Sequence, residues 1–170
     1  MRLIRPAEQR DVTMLAALAR ETYSRAFGHS FSTQDLATQL ETKFSESYFA
    51  QTLGRDTILL AEENGHLVGY GQFGTVSIAV AAATTQDGEL QRLYVHPNSQ
   101  RQGIGRALIE AALAHPRLAG AETIYLDVWD QNPGAQRLYE SFGFKVVGKN
   151  PFVIDSRAVG YDLLMARRAV

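Results

Sequence analysis

The sequence predicts an α/β (α+β) fold: a central mixed, mostly antiparallel sheet of about seven strands with helices on both faces. Three observations carry that expectation. Alternating segments flank the turn dipeptides Asn64-Gly65 and Asp87-Gly88, which signal hairpins. One strand–helix–strand run, from Glu89 to Trp129, supplies the crossover that parallel neighbours need. The full order of signals is strand, helices, three strands, helix, strand, helix, two strands, a mixture of both pairings. At 170 residues the chain suits one domain spanning 1–170.

Each element has a local reason. Arg2 to Arg5 reads as a short strand ended by Pro6. Asp11 is placed to cap a helix whose Val12, Leu15, Ala19, Thr22, Tyr23 and Ala26 share a face, with Gly28 as its breaker. Ser32 and Asp35 have capping-box spacing ahead of Leu36, Leu40 and Phe44. Ser47 to Leu53 makes a short third helix ended by Gly54. Thr57 to Glu62 and Leu67 to Phe73 are the strands of the first hairpin. Val76 to Ala83 is apolar and Ala-rich, and fits either a strand extension or a loop insertion. Glu89 to Val95 alternates as a strand, Gly103 to Ala114 has helical periodicity that stops near Pro116, and Thr123 to Trp129 is again strand. Asn132-Pro133 is an N-cap followed by proline at the first helical position, and Gly143 closes that helix. Phe144 to Gly148 and Val159 to Ala166 finish as strands.

Composition narrows the function classes. A net charge of −1 lacks the basic excess of a nucleic-acid binder. No apolar run reaches the roughly 18 residues of a membrane span, and Met1-Arg2-Leu3-Ile4-Arg5-Pro6 carries no signal-peptide apolar region. The lack of cysteine removes disulfides, thiolate nucleophiles and Cys-ligated zinc. The histidines, His29, His66, His96 and His115, are scattered without metal-ligand spacing. The expectation is a cytoplasmic protein with no metal, no nucleic-acid partner and no membrane association.

The most informative stretch is Gln100-Arg101-Gln102-Gly103-Ile104-Gly105-Arg106, between the Glu89 strand and the helix bearing Ile104, Ala107, Leu108, Ala111 and Ala112. Two glycines let the backbone approach a ligand, and the helix start offers N–H groups without internal partners. Together they make a cradle for an anion such as a diphosphate, with Arg101 and Arg106 adding positive charge. Two other phosphate motifs fail. A dinucleotide fingerprint would need glycine where Leu108 stands, and the His96 to Gln102 segment is too long for its tight turn. Gly143 to Lys149 has P-loop spacing, but Asn150 replaces the Mg²⁺-binding hydroxyl and Pro151 forbids a helix there.

The order strand, loop, Gln-x-x-Gly-x-Gly, helix resembles the coenzyme A pyrophosphate loop of the GNAT acetyltransferase superfamily. A second segment, Asn132-x-x-Ala135-x-x-x-Tyr139-x-x-x-Gly143-Phe144, is similar to one that lies beside the cofactor in that superfamily. Ala135 and Tyr139 share a helix face. The resemblance runs over most of Leu3 to Met165, and the element order is that of the GNAT fold. It implies that acetyl-CoA binds at Gln100 to Arg106. It further implies that Leu93, Tyr94 and Val95 present strand backbone to the cofactor's arm, where the strand splays from Thr123 to Trp129. Asn132 would contact the pantetheine or pyrophosphate, and the Tyr139 hydroxyl would lie near the sulfur. The segments Thr22 to Phe27, Lys43 to Ser45, Phe152 to Ile154 and Tyr161 to Met165 look like the PaiA-type polyamine acetyltransferases.

Acetyl transfer to an amine needs no protein nucleophile, in agreement with the absence of cysteine and of a G-x-S-x-G elbow. A primary ammonium, with pKa near ~10.4, must lose a proton, and the leaving thiolate benefits from one. The resemblance assigns Tyr139 as general acid and Glu89, fourteen residues before Gly103, as general base. In the superfamily the N-terminal helices and last hairpin form the acceptor pocket. Here they carry Tyr23, Phe27, Phe31, Phe44, Tyr48 and Phe49, with the acids Glu21, Asp35, Glu41 and Glu46, a combination suited to a cationic amine. The alternative is that the aromatics are core and the acids a solvated face. The expected activity is transfer of acetyl from acetyl-CoA to a small-molecule primary amine such as a polyamine, with a homodimer left open. A peptide or protein N-terminal acetyltransferase and a non-catalytic acyl-CoA-binding module are the alternatives.

Overall fold

A computed structural model describes residues 2–169. Its elements are β1 (Arg2–Pro6), α1 (Val12–Phe27), α2 (Thr33–Lys43), α3 (Glu46–Thr52), β2 (Thr57–Glu63), β3 (His66–Gly74), β4 (Gly88–Val95), α4 (Ile104–Ala114), α5 (Pro116–Ala119), β5 (Thr123–Trp129), α6 (Pro133–Glu140), β6 (Lys145–Ile154) and β7 (Arg157–Arg168). Short 3₁₀ turns lie at Gln9–Asp11 and Pro97–Ser99. The strands form one seven-stranded sheet in the order β1-β2-β3-β4-β5-β7-β6. Its β4/β5 pair is parallel, and β1/β2, β5/β7 and β6/β7 are antiparallel. This is the mixed, mostly antiparallel sheet that the turn signals and single crossover predict. Among the described residues no helix is long and apolar enough to cross a membrane. The chain divides into two compact units, one of residues up to Gln72 with Arg92–Ala112, the other of Phe73–Gln91 with Leu113 onward.

In the first unit, Asn64 and Gly65 take φ of 52° and 82° and close the β2–β3 hairpin, the double left-handed turn that matches strand twist. One face of β3 is stripped of side chains where α4 crosses it. A Cβ on Gly69 would stand 2.9 Å from the Tyr94 carbonyl and 3.4 Å from Ile104 and Leu108. The bare strand lets α4 sit close, which sets where its N-terminus lies. The opposite face presents Tyr70, part of a core with Val12, Leu15, Tyr23, Phe44, Phe49 and Ile58. Ser32 Oγ accepts from Asp35 N–H at 3.1 Å and caps α2 as its spacing predicts. Asp11 does not cap α1. Its carboxylate takes Arg5 at 2.7 and 2.8 Å and the Glu8 N–H at 2.8 Å, and the guanidinium holds its pKa down to about 2. Ala26, expected on the packed face of α1, is exposed, and Phe27 packs against the core instead.

In the second unit, Val76 to Ala83 belongs to a loop, the insertion rather than the strand extension. The short helix α5, capped by His115 Nδ1 accepting from Arg117 N–H at 3.2 Å, starts at Pro116 and has no counterpart in the sequence reading. The last two strands run longer than their apolar cores suggest, because β6 is an edge strand and an edge tolerates Pro151. They turn over Asp155 and Ser156, with φ of 49° and 63°.

Candidate active site

The glycine loop belongs to the first unit. Arg101 and Gly103 both take left-handed backbone, with φ of 59° and 80°, and α4 starts at Ile104. Left-handed residues that alternate with a residue of negative φ, as Arg101 and Gly103 do with Gln102, turn successive N–H groups toward a common side, as in anion-binding nests. A non-glycine residue held there is costly by about 1 kcal/mol or more, and such strain clusters at ligand sites. The loop is held from beneath: Gln100 Nε2 donates to the Val95 carbonyl at 3.1 Å, Gln102 Nε2 to the Asn98 carbonyl at 3.2 Å, and Arg2 Nη1 to the Gln102 carbonyl at 2.9 Å. Its outer surface is open, since a Cβ on Gly103 would meet nothing nearer than Arg2 Nη1 at 3.9 Å. Arg101, Gln102, Gly103 and Arg106 are exposed and Ile104 is buried, so the loop is anchored at the helix start and free above it. Gly105 is half-buried in the first turn of α4.

On β4 the side chains alternate. Leu93 faces α4, approaching Gly71 on the bare side of β3, while Arg92 and Tyr94 face α1 to α3. The Tyr94 ring packs against Tyr23, Phe44 and Tyr70 with centroids 6.3, 6.2 and 5.7 Å away. The aromatic and acidic residues expected to enclose a cationic amine are divided between core and surface. Tyr23, Phe44 and Phe49 are core, with Tyr23 and Phe44 centroids 4.3 Å apart. Glu21 is exposed, bonded to Arg25 and to His96, which hold its pKa below the usual range, His96 foremost. Asp35 is buried at the start of α2, Glu41 is exposed, and Glu46 Oε2 accepts from Thr13 at 3.2 Å. Phe27, Phe31 and Tyr48 are half-buried and pack against that core. The charge that touches the aromatics is a cation, Arg92.

The second unit gathers carboxylates. Glu89, 3% exposed, is far from a solvated strand end. Its Oε2 accepts from Ser77 N–H at 2.5 Å, Ser77 Oγ at 2.9 Å and Ile78 N–H at 3.2 Å, so the loop that follows β3 clamps it. Asp127, mid-strand on β5, has an Oδ1 shielded from solvent and without a hydrogen-bond partner among the described residues. Burial first, then the Glu89 charge, push its pKa up to about 6, while Asn150 pulls it down. Asp162, opposite Trp129 in the β5/β7 ladder, is pushed up to about 7 by burial and then by Asp127 and Asp130. Neither Asp127 nor Asp162 is among the site residues that the sequence suggests. The signal was a charged residue at an inward position of an otherwise apolar strand, Ile124-Tyr125-Leu126-Asp127-Val128.

Tyr139 lies on α6, 7% exposed, its ring edge-on to Phe144 with centroids 6.0 Å apart. Gly143, with φ of 86°, turns the chain back so that Phe144 N–H reaches the Tyr139 carbonyl at 3.2 Å. Asn132, which the resemblance directs to the cofactor, caps α6 with its Oδ1, which accepts from Ala135 N–H at 3.1 Å. Among the described residues no group of His, Cys, Asp and Glu is arranged to hold a metal.

The profile of the acetyltransferase (GNAT) family matches residues 15–144, and the chain belongs to that family. The family match makes the protein an acetyltransferase by class. An uncharacterized N-acetyltransferase of Mycobacterium bovis is 30% identical over 162 residues, covering 94% of this chain and 99% of that protein. The L-methionine sulfoximine/L-methionine sulfone acetyltransferase of Salmonella typhimurium is 29% identical over 151 residues, covering 88% and 84%. Among solved structures, the PaiA N-acetyltransferase of Thermoplasma acidophilum in complex with coenzyme A superposes with a TM-score of 0.80 at 21% identity, covering 99% of both chains, a likeness of fold.

Proposed function

We propose that the protein transfers the acetyl group of acetyl-CoA to the primary amine of a small molecule. The observation that carries this reading is the left-handed pair Arg101 and Gly103 at the start of α4. The residues fit a diphosphate: the cradle is open at the Gly103 Cβ position, and Arg101 and Arg106 are exposed beside it. Gln100 to Arg106 would hold the pyrophosphate, and the backbone of Leu93, Tyr94 and Val95 the pantetheine arm.

Bound acetyl-CoA supplies an activated acetyl group as a thioester, and transfer makes a C–N bond and breaks a C–S bond. The chain's own residues handle protons. The pair Glu89 and Asp127 takes the proton from the acceptor ammonium, Asp127 being the member whose charge changes near neutrality. Tyr139 donates from its phenol to the departing sulfur. A polyamine acceptor is supported by the terminal-segment pattern. An acceptor of the amino-acid kind is supported by the relative named for methionine sulfoximine and sulfone. The test is a panel of polyamines, amino acids and peptides with acetyl-CoA, followed by thiol release, with Gly103→Glu as control. Turnover by the parent and loss of acetyl-CoA affinity in the folded variant are expected. No thiol release with any primary amine, together with no calorimetric binding of acetyl-CoA, sinks the reading.

A further inference from the structure

Arg92 stands on an aromatic floor. Its guanidinium carbon lies 4.3 Å from the Phe44 centroid and 4.4 Å from that of Tyr48. Nη1 donates to the Lys43 carbonyl, the last residue of α2, at 2.6 Å. That bond uses one of five N–H donors. No carboxylate of the described residues pairs with this cation. Asp56, linked to Tyr48 through Gln72, is engaged by Arg55 at 3.0 Å and by Gln72 Nε2 at 3.1 Å. Arg92 is half-buried and its bonded edge reaches solvent.

A second group faces the same guanidinium. Tyr70 is fully buried, and its hydroxyl has no hydrogen-bond partner among the described residues. Burial pushes the phenol up, and the nearby Arg92 charge pulls it back, although the two meet without a hydrogen bond of good geometry. A buried hydroxyl without a partner costs about 1–3 kcal/mol, and the half-buried cation beside it has no carboxylate of the described residues to neutralise it. Both deficits are met by one ligand group: a carboxylate, which takes the planar fork of an arginine in two parallel bonds and a hydroxyl in a third.

We infer that Arg92, with the Tyr70 hydroxyl beside it, reads a carboxylate on the acceptor, so that the acceptor is an amino acid rather than a polyamine. The inference rests on the acetyltransferase reading and adds the acceptor's class to it. Arg92 is then a specificity residue, and the bond to the Lys43 carbonyl and the stacked rings fix its plane before the ligand arrives.

The experiment compares kcat/KM for L-amino acids and for their α-carboxamides, with spermidine alongside, in the parent and in Arg92→Gln, Arg92→Lys and Tyr70→Phe. The parent should prefer acid over amide by roughly 10- to 100-fold, the worth of a charge-assisted pair. Arg92→Gln should erase the preference through KM for the acid while leaving the amide within about twofold. Arg92→Lys should restore part of it, because the charge returns without the fork. Tyr70→Phe deletes a single unbonded atom, so it should keep the melting temperature and still lower the preference several-fold. That variant decides the matter if Arg92→Gln fails to fold. Equal turnover of acid and amide by the parent, better turnover of spermidine, or an equal loss for acid and amide in Arg92→Gln overturns the inference while the acetyltransferase reading stands. Absence of any turnover together with absence of acetyl-CoA binding overturns both.

Discussion

Replacing Asp162 with asparagine should stabilise the protein at pH 8 and leave it unchanged at pH 4. The carboxyl lies on β7 and is held at about 7 rather than the ordinary 3.8, first by burial and then by Asp127 and Asp130. A carboxyl whose folded pKa is raised binds more protons folded than unfolded across the window between those values. Stability therefore falls as pH rises from about 4 to 7. Each pH unit of difference is worth about 1.4 kcal/mol, which makes ~4 kcal/mol of destabilisation at pH 8. Solvent around a part-exposed carboxyl cuts this to ~2 kcal/mol. Asparagine keeps the shape, opens no cavity and carries no charge, so the full ~2 kcal/mol should return. For a chain of this size that is a rise in Tm of roughly 4–8 °C at pH 8, shrinking toward zero at pH 4. Thermal unfolding of parent and variant across pH 4 to 8 measures it. A gain independent of pH, or a loss at pH 8, refutes the claim that buried like charges raise this group.

Three further outcomes test the site. Tyr139→Phe should lower kcat by on the order of 10²–10⁴-fold with little change in KM for acetyl-CoA, because the hydroxyl acts only as charge develops on sulfur; a variant within twofold of the parent makes Tyr139 a packing residue. The parent's kcat/KM should fall on the acid side of about pH 6, where Asp127 loses its charge, and Asp127→Asn should remove that limb; an unmoved limb assigns it to another group. Gly160→Ala should destabilise by roughly 1–3 kcal/mol, since its Cβ would fall inside the Trp129 indole that covers this point of β7, and an unchanged melting temperature shows that the ring swings aside freely.

Local structure was legible along the chain. Turn dipeptides, cap residues and the spacing of apolar positions act through bonds between near neighbours, so Asn64-Gly65, Ser32, Asn132-Pro133 and the exact span Thr123–Trp129 could be read directly. The glycine loop was legible for the same reason: its backbone conformation and the start of α4 are encoded within seven residues. Composition could not tell core aromatics from a binding pocket. Tyr23, Phe44 and Phe49 have the same hydrophobicity in either place, and packing put them inside. The environments of the charges come from contacts distant in sequence. Glu89 is clamped by a loop twelve residues earlier in the chain, Asp127 and Asp162 come together through the β5/β7 ladder, and Arg92 meets Phe44 and Tyr48 across nearly fifty residues. A side chain's charge in a site depends on burial and on its neighbours in space, and neither is a property of sequence position.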